Sequence, residues 1–406
     1  MKNYMILNRK YTVEYGTYDA TFIDFEKGNY FSLGGEKYEL FRTWQKNKTV
    51  DTENFTSTEK ELYEFLTENG IASFEERFYV SEGFDVGKKF MLYNEKKSPL
   101  SRVFIELGKG DFKKKFERIT SPCLVCQNNE KISISNEEMY VKLIEELACR
   151  GVQQIVMYGG DILNNPSSKV FMKVADESYI QFCLIVDESD VTVENIAQVS
   201  EYSTELIITV DFRSIVDIDK IRQIEQKLHE KNVFAKYSVV ISSSTISDYV
   251  VKECQLSALE TEVVNVSYVM EEKITDVELS EICLLKSVNL NEYKIYSSMN
   301  PCMAGTLVID SDLNVIPCAE MKNYIFGKII YENNKFKYVK NDTEYSIADF
   351  WLSGKAIIKE CAECSRKHLC MDCRAAEIDY SGNFENRNTK RKCSYMEACR
   401  LGCRNI

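Results

Sequence analysis

Between residues 99 and 295 short apolar runs alternate with helical patterns, and this alternation limits the possible folds more than any other feature. The runs are V-F-I-E-L (103–107), Q-I-V-M-Y (154–158), F-C-L-I-V (182–186), L-I-I-T-V (206–210), Y-S-V-V-I (237–241) and V-N-V-S-Y-V (264–269). They are short and rich in β-branched residues, as strands covered on both faces are. Between them lie helical patterns such as Ile218, Ile221, Ile224 and Leu228. Ser135-x-x-Glu138 reads as the cap of a helix carrying Tyr140, Leu143, Ile144 and Leu147, which ends at Gly151. Repeated βα units require a parallel sheet, either open or curled into a barrel. Five or six units fall short of the eight of a closed barrel.

The segment before this region reads differently. In T-F-I-D-F-E-K-G-N-Y-F-S-L (21–33), Ile23 and Phe25 alternate with charged residues, E-K-G-N turns, and Phe31 and Leu33 alternate back. That is a hairpin. Tyr38, Leu40, Phe41 and Trp44 then mark one face of a helix. Thr56-x-x-Glu59 is a capping box opening a second helix with Leu62, Phe65 and Leu66, and Gly70 closes it. A strand, S-F-E-E-R-F-Y-V, follows. Two helices between β-ribbons predict a winged-helix module over residues 1–85.

The last region, 298–406, holds most of the sulfur. Nine of the fifteen cysteines lie between Cys302 and Cys403. T-L-V-I-D-S-D-L-N-V-I-P-C (306–318) reads as a hairpin turning at S-D-L-N. Cys361, Cys364, Cys370 and Cys373 then give C-x2-C-x5-C-x2-C, followed by Cys393, Cys399 and Cys403. Thiolates at such spacing select zinc or iron–sulfur clusters. Seven to nine sulfurs exceed one zinc site and suffice for two four-iron clusters. The six remaining cysteines are widely spread, and most of them are expected to be small buried side chains.

The N-terminus lacks the apolar run of a signal peptide, and no stretch approaches a membrane span, so a cytoplasmic chain is expected. A net charge of −12 argues against general nucleic-acid binding. There are two histidines. His229 reads as a surface residue, and His368, inside the cysteine group, as a zinc ligand or a cluster neighbour. No Ser-His-Asp set, Walker loop or His-Glu-x-x-His occurs. Asp211, ending L-I-I-T-V-D, and Glu320, after Cys318, are carboxylates placed where a proton could be handled.

The last region, residues 298–406, resembles the SPASM domain, the twin-cluster domain that follows the barrel in many radical-SAM peptide maturases. The likeness rests on Cys302, the hairpin ending at Cys318, the 361–373 group and Cys393. The family glycine falls at Leu313, and the last gap of the group is two residues rather than three. The resemblance implies that Cys361, Cys364, Cys370 and Cys393 hold one [4Fe–4S] cluster, and that Cys302, Cys318 and Cys373 hold part of a second.

The middle region resembles the same family at I-V-M-Y-G-G-D-I-L-N-N-P (155–166). There the family's Gly-Gly-Glu-Pro turn approaches S-adenosylmethionine; the equivalents are Gly159, Gly160 and Asp161, with Ile162 in place of proline. The family's radical cluster needs C-x3-C-x2-C. Cys123 and Cys126 fit the last two positions, but Ile119 stands at the first and cannot bind iron. The first region resembles the leader-peptide recognition domain of ribosomal peptide maturation enzymes, which binds its leader as an added strand.

Together these resemblances imply an α/β protein in three parts: a winged-helix leader-recognition domain (1–85), a partial (β/α)6 barrel of radical-SAM type (99–295), and a SPASM-like domain with two [4Fe–4S] clusters (298–406). The implied partners are a ribosomally made precursor peptide and a second modifying enzyme. Three activities stay open: a pseudoenzyme that presents the precursor, an active S-adenosylmethionine enzyme forming a cross-link, and a zinc-stabilised peptide-binding protein.

Overall fold

A computed structural model describes residues 2–77 (except 9 and 48), 100–108, 134, 136–242 (except 213–215), 263–269, 288–319 and 321–370. It is a mixed α/β fold built on a large central sheet.

The N-terminal unit contains β1 (Lys2–Leu7), β2 (Tyr11–Tyr15), β3 (Asp19–Asp24), β4 (Asn29–Gly34), α1 (Gly35–Asn47), β5 (Thr49–Asp51), α2 (Ser57–Glu68) and β6 (Ala72–Glu75). Two three-stranded antiparallel sheets form, in the orders β2-β3-β4 and β5-β1-β6. The expected hairpin is β3–β4, with Asp24 opposite Asn29. Asp24 Oδ1 accepts from the N–H groups of Glu26 and Lys27, and Gly28 takes a φ of 68° in the turn. The Thr56–Glu59 capping box is made in both directions. Phe22, Phe41, Trp44, Leu62 and Leu66 form one core between the sheets and the helices.

The central sheet begins with β7 (Arg102–Glu106), β8 (Gln154–Tyr158), β9 (Gln181–Asp187), β10 (Thr204–Asp211), β11 (Ala235–Ser242) and β12 (Val263–Val269). These six strands are parallel and lie side by side in chain order. Four connections carry α3 (Glu137–Cys149), α4 (Ser167–Glu177), α5 (Val193–Val199) and α6 (Ile218–Glu230). Crossovers of one hand, stepping always in one direction, bring every helix to the same face. The two cores agree with this. Ile105, Ile155, Leu184 and Ile208 pack with Leu143, Phe171, Ile196 and Leu228 of the helices. The alternate strand residues Phe104, Val156, Cys183, Ile185 and Ile207 form a second cluster on the opposite face.

One detail departs from the sequence reading. The cap of α3 is Asn136, whose Oδ1 accepts from the Met139 N–H at 3.0 Å. Ser135 lies outside the described residues.

The C-terminal region extends the same sheet. After α7 (Leu290–Tyr296) come β13 (Thr306–Ile309), β14 (Asn314–Ile316), β15 (Gly327–Glu332) and β16 (Lys335–Lys340), then α8 (Ile347–Trp351) and α9 (Lys359–Ala362). β13 pairs parallel to β7, and β14 to β16 follow antiparallel. The β13–β14 turn is held by Asp310, whose Oδ1 accepts from the Asp312 and Asn314 N–H groups. Leu313 sits there at a φ of 63°, a left-handed conformation that strains a branched side chain. No helix among the described residues is long and apolar enough to cross a membrane.

Candidate functional site

In a parallel sheet the C-terminal strand ends collect functional side chains, because the loops leaving them share one rim. Glu106, Tyr158, Asp187 and Asp211 stand at these ends in β7 to β10. Glu106 is fully buried, and both its oxygens accept from Lys322 Nζ, at 2.8 and 3.0 Å. Burial pushes the Glu106 carboxyl up, and the ammonium group opposes it. Neither residue was singled out from the sequence. The signal for Glu106 was present, since a carboxylate ends V-F-I-E just as Asp211 ends L-I-I-T-V-D. Lys322 has no sequence mark, because its partner is 216 residues away. Asp211 is half-buried at its strand end, and Glu320 lies outside the described residues.

The Gly159-Gly160-Asp161 turn leaves β8 beside this pair. Gly159 has a φ of 109° and Gly160 of 60°, angles that favour glycine. The backbone of β7 passes underneath: a Cβ on Gly159 would lie 3.5 Å from the Leu107 nitrogen and 4.0 Å from Glu106 Cγ. Asp161 opens a short 3-10 helix (Ile162–Asn164) that feeds α4. Across the rim, burial raises the Asp190 carboxyl to about 6, with Asp187 and Asp161 adding to the rise and Lys220 opposing it. Asp190 Oδ2 is buried without a hydrogen-bond partner among the described residues. The turn thus belongs to an acidic, glycine-lined rim.

The sulfurs form two groups. Cys361 lies on α9, Cys364 just after it, and Cys370 six residues on; all three are buried. The Cys364 N–H donates to the Cys361 carbonyl, and the Arg366 N–H points at Cys364 Sγ, 3.4 Å away. Cys302 and Cys318 are half-buried against Met303, Val315 and Phe350. None of the five is in a disulfide. His368 is buried between Cys364 and Cys370 in the chain. Its Nδ1 is 3.3 Å from the Tyr296 carbonyl, and its ring meets Tyr293 edge-on. Burial lowers its pKa to about 4. Burial also raises the Tyr296 phenol to about 12, and Cys302 contributes to that rise.

Buried, reduced thiols with a backbone N–H directed at sulfur suit a metal or cluster in donor chemistry. Among the described residues, however, no three His, Cys, Asp or Glu side chains converge as a metal site. Cys373, Cys393, Cys399 and Cys403 lie outside the described residues, as do Cys123, Cys126 and Ile119. Of the scattered cysteines, Cys183 is buried as expected, whereas Cys149 is exposed. His229 is exposed on α6, as expected.

The cysteine loop also receives the N-terminal unit. Thr17 N–H donates to the Glu363 carbonyl at 3.0 Å. Ser365 Oγ bonds Asp19 and, at 2.8 Å, Thr21 Oγ1. Lys367 pairs with Glu14 at 3.3 Å, and Glu14 also accepts from Tyr293. Gly16 admits no side chain, since a Cβ would stand 2.8 Å from the Ser365 nitrogen. Beside these contacts, Tyr15, Thr17, Tyr38, Arg42 and Lys46 line a polar cavity of about 730 Å³. Arg42 lies over the Tyr15 ring, 5.0 Å from its centre.

No protein-family profile matches the sequence, and no curated protein matches it. Among solved structures the chain is similar to Streptococcus suis SuiB bound to precursor peptide SuiA, with TM-score 0.37 and 9% identity over 92% of this chain and 97% of that one. It is similar to SuiB bound to S-adenosylmethionine, with TM-score 0.36 and 11% identity over 92% and 96%. It is also similar to native anSMEcpe with bound AdoMet, with TM-score 0.42 and 13% identity over 74% and 99%.

Proposed function

We propose that this protein takes part in maturing a ribosomally made peptide: its N-terminal unit binds the precursor leader, and a partial (β/α)6 barrel receives the core at its rim. The carrying observation is the union of three features in one chain. Six parallel strands run in chain order, a two-glycine turn with both φ angles positive leaves the second of them, and a buried Cys361–Cys364 knuckle docks on the N-terminal unit. In this reading Cys361, Cys364 and Cys370 hold a [4Fe–4S] cluster with Cys393, and Cys302, Cys318 and Cys373 contribute to a second. Such clusters carry single electrons or brace the fold around them. Residue 119 is isoleucine, so the radical cluster would have two thiolates, and the role favoured is that of a presenting partner for a second modifying enzyme.

A second reading, an active S-adenosylmethionine enzyme, is favoured by the Gly159-Gly160 turn, whose open backbone and adjacent Asp161 suit an ammonium group. The deciding measurement is iron, sulfide and zinc per chain after anaerobic reconstitution, together with 5′-deoxyadenosine release. About 8 irons with equal sulfide and no 5′-deoxyadenosine supports the presenting role. About 12 irons with release supports the enzyme. Zinc without sulfide overturns both in favour of a zinc-folded binding protein. Removing residues 1–85 is expected to abolish precursor affinity, and unchanged affinity would remove the recognition role. Ile119→Cys is expected to raise iron uptake; no rise would mean that S-P-C-L-V-C is not a former radical site.

A further inference from the structure

The central sheet ends, among the described residues, at β16, and this edge is unlike the rest of the molecule. The chain carries a net charge of −12, yet the hairpin over residues 327–340 holds Lys328, Lys335, Lys337 and Lys340 against one acid, Glu332. None of the four lysines forms an ion pair with a described residue. Five of the six residues of β16 are exposed, including Tyr338.

The hydrogen-bonding direction of each residue follows from the turn. Asn333 and Asn334 have φ values of 49° and 61°, so β15 and β16 are joined by a two-residue type I′ turn. The pair closing such a turn, Glu332 and Lys335, exchanges backbone hydrogen bonds. Lys335, Lys337 and Val339 therefore point their N–H and C=O groups at β15. Phe336, Tyr338 and Lys340 point theirs outward. The side chains divide in the same rhythm. Phe336, Tyr338 and Lys340 line an apolar cavity of about 520 Å³ whose far wall is Leu143 and Leu147 of α3. Lys335 and Lys337 stand on the other face.

We propose that the outer edge of β16 is a docking strand for an extended acidic peptide segment of another chain, one in which apolar and acidic residues alternate. Main-chain groups of the segment pair with the outward groups of Phe336 and Tyr338. Its apolar side chains, all on one face, cover the cavity, and its acidic side chains lie beside Lys335 and Lys337. Lysines on an edge strand deter neutral strands from pairing. The same lysines attract an acidic strand, and an edge that served only to repel would need no apolar cavity beside it. The inference is independent of the maturation reading above.

The test uses the full-length protein and a fluorescein-labelled (Val-Glu)4 peptide, with (Val-Lys)4 as control, followed by anisotropy. Binding of (Val-Glu)4 is expected to be at least about tenfold tighter than that of (Val-Lys)4 and to weaken with salt. Lys335→Glu/Lys337→Glu should weaken it at least about tenfold. Tyr338→Pro removes an outward N–H while leaving the β15 ladder whole, and should do the same with an unchanged circular dichroism spectrum. Hydrogen exchange provides a readout without mutation: the Phe336 and Tyr338 amides should exchange fast in the free protein and slow with peptide. Equal binding by the lysine variant, or slow exchange of those amides in the free protein, overturns the proposal. So does self-association abolished by the lysine variant, or lysine-dependent binding of a single-stranded oligonucleotide without binding of the peptide.

Discussion

Replacing Lys322 by methionine removes the only cation bonded, among the described residues, to the buried Glu106 carboxylate while keeping much of the side chain's volume. Glu106 has no exposed surface, and both its oxygens are within 3.0 Å of Lys322 Nζ. Breaking a wholly buried pair costs about 3–5 kcal/mol, because the remaining charge loses its partner. The Lys322 side chain is 41% exposed, so water screens part of the attraction and the expected loss falls to about 1–3 kcal/mol. The pH dependence has a definite sign. The folded pKa of Glu106 is raised, so burial weakens the fold as pH rises from the unfolded carboxyl's range through the folded value. Without Lys322 that pKa rises further and the penalty at neutral pH grows. At low pH the carboxyl is protonated in both states and the penalty disappears. Urea denaturation at pH 8 and pH 5 should therefore show a large deficit for Lys322→Met at pH 8 and a small one at pH 5. Adding Glu106→Gln should recover most of the loss at pH 8. A deficit that is the same at both pH values, or a double variant as weak as the sum of the singles, would refute the assignment of a charge-coupled pair.

Three further outcomes test other parts of the molecule. Thr56→Ala breaks the capping box of α2 and should cost about 1 kcal/mol by thermal or urea denaturation of the full chain, with Thr56→Ser recovering most of it. Cys364→Ala should lower iron and sulfide per chain after reconstitution and increase proteolysis at the Thr17–Glu363 and Thr21–Ser365 contacts, since metal binding is coupled to folding. Gly159→Ala makes only ordinary van der Waals contacts, so the φ of 109° should account for a cost of about 1–3 kcal/mol; a neutral substitution would mean that the turn rearranges freely.

What the sequence discloses depends on how far apart the partners are along the chain. The helices and inner strands were legible because their signals are local: an apolar period, a capping box, a glycine after the last turn. Even the one misplaced cap was missed by a single residue, Asn136 for Ser135, because both side chains can accept the same kind of bond. The β15–β16 hairpin was also local, and Asn333-Asn334 between alternating runs would have revealed it. The Glu106–Lys322 pair and the seating of Asp19 and Thr21 on Ser365 were not legible. They join residues 216, 346 and 344 positions apart and leave no periodic trace. Leu313 lies between these cases. A leucine gives no sequence sign of the left-handed backbone angle found at this turn. Asp310, accepting two turn amides, holds the loop closed, so the local geometry is kept by hydrogen bonds where the residue type does not favour it.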